Sequence, residues 1–227
     1  MAPTYINYPW VSEKLLAEPM RAYLEARGMT TYAEVTTSGN PSRRFDIVAT
    51  QNDVVMIVEC KLFGSDNLVR QAIMATCFSH RTAIAIPSVS ILRPRHYKTL
   101  AAEGIGIYRI AERGCWQDAV ECEQDADFRR VVDNDISDRL IEAQRSNEAG
   151  SKMAQATPIT VMLKEAVEYV IGHPGCMIRD VAENVKSPYG MPATMAILRD
   201  RLPKTNQVWL RISKQGRGYV CTPRKTK

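Results

Sequence analysis

Long apolar runs are missing from this 227-residue chain: the longest, at residues 54–58 and 83–86, are short. A membrane-spanning helix needs ~20 consecutive apolar residues, so a helical span is excluded. The opening residues, MAPTYINYPW, have no basic segment followed by an apolar one. Without a secretory signal the expected location is the cytoplasm. Histidine is scarce, with three in the chain (His80, His96 and His173), and the six cysteines include no C-x2-C pair. That argues against a structural zinc site, whose ligands come as closely spaced Cys and His pairs. The scattered cysteines read instead as reduced, mostly buried thiols. Internal repeats are absent, and Gly and Pro stand at 12 each, which excludes collagen-like and wholly disordered chains.

What is present is a globular composition, 45% hydrophobic and 24% charged, with a formal net charge of +5. The length suits one large domain or two small ones. Charge is unevenly divided. Residues 157–227 hold 12 basic and 5 acidic side chains, a net +7, which leaves −2 for residues 1–156. A basic excess confined to the last third is the electrostatic footprint of a nucleic-acid-contacting module, although a solvated basic surface would look the same.

Three segments follow from the pattern. Residues 1–117 alternate helical and strand-like periodicities: a helix over about 11–27 ended by Gly28, strands at 31–36, 45–50 and 54–62, a helix at 66–80 capped by Ser65 or Asp66, a strand at 82–86, a helix near 94–103 and a strand at 105–110. That order predicts an α/β or α+β layered fold. Residues 118–156 read as an acidic connecting helix, from its spacing of apolar residues, followed by a small, polar linker. Residues 157–227 read as three helices (160–171, 177–185 and 192–202) and a hairpin of strands 208–212 and 219–222, the pattern of a winged helix-turn-helix.

The chemistry concentrates in RRFDIVATQNDVVMIVECKL (43–62). If Asn52 and Asp53 form the turn, counting outward places Asp46 opposite Glu59, where cross-strand Cβ atoms lie ~4.5–5.5 Å apart. Two carboxylates at that distance repel unless a divalent cation sits between them or one is protonated. Lys61, two residues after Glu59, shares its face. An acid two residues before a lysine is common by chance; its setting in a buried-strand sequence is the informative part, because an unpartnered charge is costly there. On the first helix, Glu13 falls on the side of Leu16, Met20, Tyr23 and Leu24 at 100° per residue. His80 reads as structural.

Glu13, Asp46 and Glu59-Cys60-Lys61, in an αβββαβ order, resemble the PD-(D/E)XK nuclease superfamily with its restriction-endonuclease-like core. Three stretches, LAEPMRAYLEARG, FDIVATQNDVVMIVECKL and LVRQAIMATCFSHRTAIAIP, are similar to an uncharacterised bacterial family of PD-(D/E)XK phosphodiesterases, and the C-terminal ILRDRL…GRGYVCTP resembles that family's tail. The resemblance implies that Asp46, Glu59 and the Cys60 carbonyl bind a metal, that Lys61 orients or deprotonates the attacking water, and that Glu13 and Gln71 complete the catalytic set. No proline directly precedes Asp46, a departure from the motif's name. Oxygen ligands without a histidine pair favour Mg2+, with Mn2+ as substitute, over zinc. Arg43 and Arg44 are candidates for phosphate contacts; Thr194 and Arg199 on the third helix of the C-terminal module, with Lys214 and Arg217 in its wing, are candidates for DNA contacts.

The expectation is a metal-dependent endonuclease acting on duplex DNA, with no membrane partner and with a homodimer left open. Its rivals are a nucleic-acid-binding regulator whose nuclease-like domain is inactive, and a winged helix used for protein pairing.

Overall fold

The computed structural model describes residues 12–37, 43–111, 119–130, 136–137, 140–147, 157–204, 210–215 and 218–223. The chain divides into two units, residues 1–155 and 156–227.

In the first unit, helix α1 (Lys14–Glu25) buries Leu16, Met20, Tyr23 and Leu24 on one side. Each such side chain contributes roughly 1.5–3 kcal/mol when fully withdrawn from water. The helix ends because Gly28 takes a φ of +79°, a left-handed conformation that glycine adopts without a Cβ clash. Strands β1 (Thr30–Thr36), β2 (Arg44–Gln51) and β3 (Val54–Cys60) follow as an antiparallel meander. Asn52, with a φ of +53°, helps to turn β2 into β3, and Gln51 pairs with Val54.

The crossover helix α2 (Asp66–Ala75) carries the chain to β4 (Arg81–Pro87), parallel to β3. Its N-terminus is fixed by Ser65, whose hydroxyl accepts from the Leu68 N–H at 3.2 Å. Helix α3 (Pro94–Ala102) then leads to β5 (Gly106–Ile110), parallel to β4. The result is a mixed α/β fold around a six-stranded sheet ordered β1-β2-β3-β4-β5-β6. One face, with Ala33, Ile47, Met56 and Val58, packs on α1. The other, with Ile84, Ile86, Ile105 and Ile107, packs on Leu68, Ala72 and Leu100 of α2 and α3.

The sixth strand corrects the expectation of a connecting helix from residue 118. β6 (Val120–Gln124) pairs antiparallel with β5, and its burial alternates residue by residue, the period of a strand with one wet face. Residues 142–146 form a short 3-10 helix. Its neighbour Asn147 donates to the Ala33 carbonyl in β1, so this segment belongs to the first unit. Of the expected linker, which runs from residue 146 to about 157, residues 148–156 lie outside the described residues.

The second unit has its own core. Helices α4 (Pro158–Gly172), α5 (Ile178–Asn184) and α6 (Met191–Arg201) bury Met162, Ala166, Val170, Val181 and Leu198 together with Cys221. Thr157 caps α4 through the Thr160 N–H. Strands β7 (Leu210–Gln215) and β8 (Gly218–Pro223) form an antiparallel pair.

Candidate active site

Side-chain alternation in β1 and β2 breaks at one level of the sheet. Ala33 and Ile47 pair and pack on the α1 face. Val35 and Phe45 also pair, yet they pack with Val48 and Ile57 on the opposite face. A regular strand would return positions two apart to the same face. The slip is taken up at Glu34 and Asp46, which stand between these pairs, and Glu34 holds a left-handed φ of +58°. For a residue with a Cβ that conformation costs on the order of 1 kcal/mol or more.

Asp46 is thereby freed from a regular ladder position. The β2–β3 ladder ends with Ile47 opposite Val58, and the Cys60 N–H donates to Asp46 Oδ2 at 2.9 Å. Glu59 stands one position earlier on β3. Both carboxyl groups are buried, Asp46 at 7% exposed and Glu59 at 2%. Burial raises the pKa of Asp46, against the attraction of Lys61 and the Cys60 N–H. Burial and the adjacent Asp46 charge hold Glu59 well above the usual carboxylate range, and the two side chains hydrogen-bond to each other. Both shifts favour the protonated form relative to a solvated carboxyl, more strongly at Glu59.

Lys61 follows β3, held through its N–H to the Ala85 carbonyl at 3.1 Å. Its Nζ donates to Glu13 Oε2 at 2.8 Å and lies 4.0 Å from Asp46 Oδ2. Burial alone would lower the lysine pKa, but the charge of Asp46 and the hydrogen bond with Glu13 outweigh it and the net direction is upward. Lys61 is thus an ammonium here, suited to stabilising negative charge; proton abstraction would need the opposite shift. Glu13 sits at the N-terminal boundary of α1, the position from which it reaches Lys61. Burial pushes the Cys60 thiol up as well, so Cys60 would contribute through its backbone.

The other expected residues are placed less uniformly. Gln71 is half-buried on α2, and its amide oxygen meets Asn67 at 3.4 Å rather than the carboxylates. The Arg43 N–H donates to Thr37 Oγ1 at 3.0 Å, and its carbonyl accepts from the Thr37 N–H at 2.8 Å. Arg44 is half exposed, and its Nε lies 2.7 Å from Glu34 Oε2 as an ion pair. His80 accepts the Val55 N–H on Nδ1 at 3.1 Å and stacks on Phe128, a structural role.

In the second unit, Thr194 is 1% exposed. Its hydroxyl engages the Tyr189 carbonyl and Ser187 at the start of α6. That corrects its expected groove contact: it holds the helix entry and presents nothing to solvent. Arg199 is exposed, with its guanidinium 5.5 Å from the centre of the Tyr219 ring. Lys214 is exposed on β7. Arg217 lies outside the described residues.

Glu34 is the residue that periodicity did not single out. It is fully buried, stands across from Asp46, and its charge adds to the rise at Glu59. The available signal was an acid inside TTYAEVT, an otherwise strand-forming run.

Among the described residues no three His, Cys, Asp or Glu side chains gather as a metal-holding group. Mg2+, however, is commonly bound by one or two carboxylates, with water and substrate phosphate completing its shell. Asp46 and Glu59, adjacent and proton-avid, fit that donor set; a thiolate-rich or histidine-rich metal does not fit it.

No family model matches the chain, and no curated protein matches it. A solved structure described as a protein of unknown function, AF1548, covers 85% of this chain and 100% of its own at 12% identity and a TM-score of 0.37. That likeness is too slight to carry an argument about fold or function.

Proposed function

We propose that the chain is a Mg2+-dependent DNA endonuclease, with a restriction-endonuclease-like catalytic domain and a C-terminal winged helix that grips duplex DNA. The observation that carries this reading is the buried Asp46–Glu59 pair with the Lys61 ammonium beside it. Such a pair is costly to bury for stability alone.

In this reading Asp46, Glu59 and the Cys60 carbonyl would hold Mg2+, which when bound would supply a Lewis acid and an activated water. To serve as a ligand Glu59 would have to be ionised, so metal affinity would depend on pH. Lys61, kept charged and oriented by Glu13, offsets negative charge as it builds on the attacked phosphoryl group. Arg44, fixed by Glu34, offers its remaining N–H groups to a neighbouring phosphate. The exposed Arg199 and Lys214 belong to the segment that holds the chain's basic excess, the charge a duplex would meet.

Incubation of supercoiled plasmid with the purified protein, with Mg2+ and with EDTA, tests the proposal. Nicking or linearisation that requires Mg2+ and is lost in Glu59→Ala is the expected outcome. Undiminished cleavage by Glu59→Ala would overturn the site assignment. Metal-independent DNA binding without cleavage under any divalent ion would favour the regulator with an inactive nuclease-like domain, which the basic excess also suits.

A further inference from the structure

Where β3 begins, a cavity of about 410 Å3 opens between the C-terminal end of α1, the β2–β3 turn, the first residue of β4 and the chain that follows β6. Val54 lines it, five residues before Glu59 on the same strand. That separation is roughly 16 Å along β3, so the cavity is distinct from the carboxylate pair. Its volume falls in the range of small-molecule sites, ~300–1,000 Å3.

The floor is apolar and aromatic. Tyr23, Leu24, Met56 and Tyr108 line it and are buried, with the two tyrosine rings edge to face at 5.6 Å between centres. The mouth is polar: Arg27, Gln51, Arg81 and Asp125 line it and are exposed. Phe128, 58% exposed, adds a further wall, its ring stacked on His80.

Hydrogen bonds join these walls. The Arg27 guanidinium lies 3.4 Å from the centre of the Tyr23 ring, and its Nη1 donates to the Tyr23 carbonyl at 3.1 Å. Gln51 Nε2 donates to the Arg27 carbonyl at 3.2 Å. The Arg129 N–H donates to the His80 carbonyl at 2.8 Å, which ties the segment of Phe128 to the start of β4. Arg81 Nη1 donates to the Ala126 carbonyl at 3.4 Å. Among the described residues, neither Arg27 nor Arg81 is paired with a carboxylate. Asp125 accepts from the Cys122 thiol at 3.1 Å.

Flat apolar surface, two guanidinium groups and one carboxylate thus line one small volume. The first takes a planar ring, by offset or edge stacking. Guanidinium groups take a phosphate through paired N–H donors. A carboxylate takes an N–H or O–H donor. A nucleoside monophosphate carries all three complements, in its base, its phosphate and its sugar hydroxyls.

We propose that this cavity binds a nucleoside monophosphate, as a site separate from the candidate active site. The inference does not rest on the nuclease reading; a chain that cut nothing would still bind the nucleotide.

Isothermal titration calorimetry of the full chain in EDTA tests it. The titrants are the adenosine, guanosine, cytidine and uridine 5′-monophosphates, the four parent nucleosides and inorganic phosphate. At least one nucleotide should bind with a Kd below about 1 mM, and about tenfold or more tightly than its own nucleoside or phosphate alone. Arg81→Gln should weaken that binding about tenfold, the loss of a charge-assisted contact. Phe128→Ala should weaken it about 5- to 10-fold, as loss of one stacking contact does, and Phe128→Trp should keep it. Both side chains are exposed, and circular dichroism checks that the variants fold. Glu59→Ala should bind the nucleotide as wild type does.

No binding of any of the four nucleotides overturns the proposal. So does binding that Arg81→Gln or Phe128→Ala leaves unchanged. Binding that Glu59→Ala abolishes also overturns it, for the nucleotide then sits at the carboxylate pair. Equal affinity for nucleotide and inorganic phosphate does the same, reducing the cavity to an anion site.

Discussion

At Glu59, burial and the neighbouring Asp46 charge act in the same direction, and the folded carboxyl keeps its proton to a higher pH than an unfolded one. Below the ordinary glutamate value of ~4.3 both states are protonated and this contribution to stability is complete. As pH rises above it, the unfolded state releases the proton while the folded state still holds it. Stability then falls, by at most ~1.4 kcal/mol per pH unit for one proton, until the raised folded value is passed. In EDTA, the wild-type melting temperature should therefore decline from pH 5 towards pH 8. Glu59→Gln should flatten the decline and melt higher at pH 8, while losing Mg2+-dependent cutting. A Glu59→Gln profile parallel to wild type would mean that Glu59 is not the protonated partner. Glu34 poses a second test at this scale. Its carboxylate is fully buried, whereas the guanidinium it meets is half exposed. Arg44→Ala should cost about 2 kcal/mol, more than an exposed arginine normally does, and Glu34→Gln in the same background should restore most of that. An additive double mutant, measured by urea denaturation, would show that the pair is not coupled.

Elements were legible in the sequence where one periodicity ruled. The α1 stripe, the β2 and β3 runs and the Ser65 cap of α2 follow from spacing and from residues with a local mechanism. β6 was hidden because its wet-face acids, Glu121 and Glu123, merge into an acidic segment whose later apolar spacing imitates a helix. The site was legible in part. Counting from the Asn52 turn brought Asp46 to the level of Glu59. The slip at Glu34 and Asp46 was not legible, since it depends on a left-handed backbone in a residue other than glycine, a strain that only tertiary packing sustains. That slip turns Asp46 towards the Cys60 N–H, and no local propensity encodes it. The loop pair after β3 and β4 shows the same dependence on packing. Gly64→Ala forces a methyl against a backbone oxygen, and overpacking of this kind costs about 1–3 kcal/mol. Thermal denaturation should shift down by about 2–4 °C for each kcal/mol in a domain of this size. An unchanged melting temperature would show that the loops part easily.

At the scale of the whole molecule, the two units carry opposite charge: −2 over residues 1–156 and +7 over residues 157–227. The second unit has a buried cluster of its own, built from α4, α5, α6 and Cys221 of β8, so residues 156–227 should fold as an isolated fragment. If that fragment supplies the electrostatic hold on DNA, it should bind blunt duplex alone. Its affinity should fall steeply with salt, because each neutralised phosphate contributes ~−0.9 to the log–log slope through counterion release. Lys214→Ala should reduce the slope by about one and weaken binding similarly across sequences, the behaviour of a phosphate contact. Arg199→Ala, removing a guanidinium placed near Tyr219, should do the same or, if it reads a base edge, relax preference at one position. Residues 1–155, with little net charge, should bind blunt duplex poorly and retain the Asp46–Glu59 pair with its pH-dependent stability. A fragment that leaves duplex DNA unbound at low salt would assign the basic face to protein pairing instead. DNA recognition would then rest with the first unit, where Arg44 and Arg70 are exposed cations close in sequence to the candidate site.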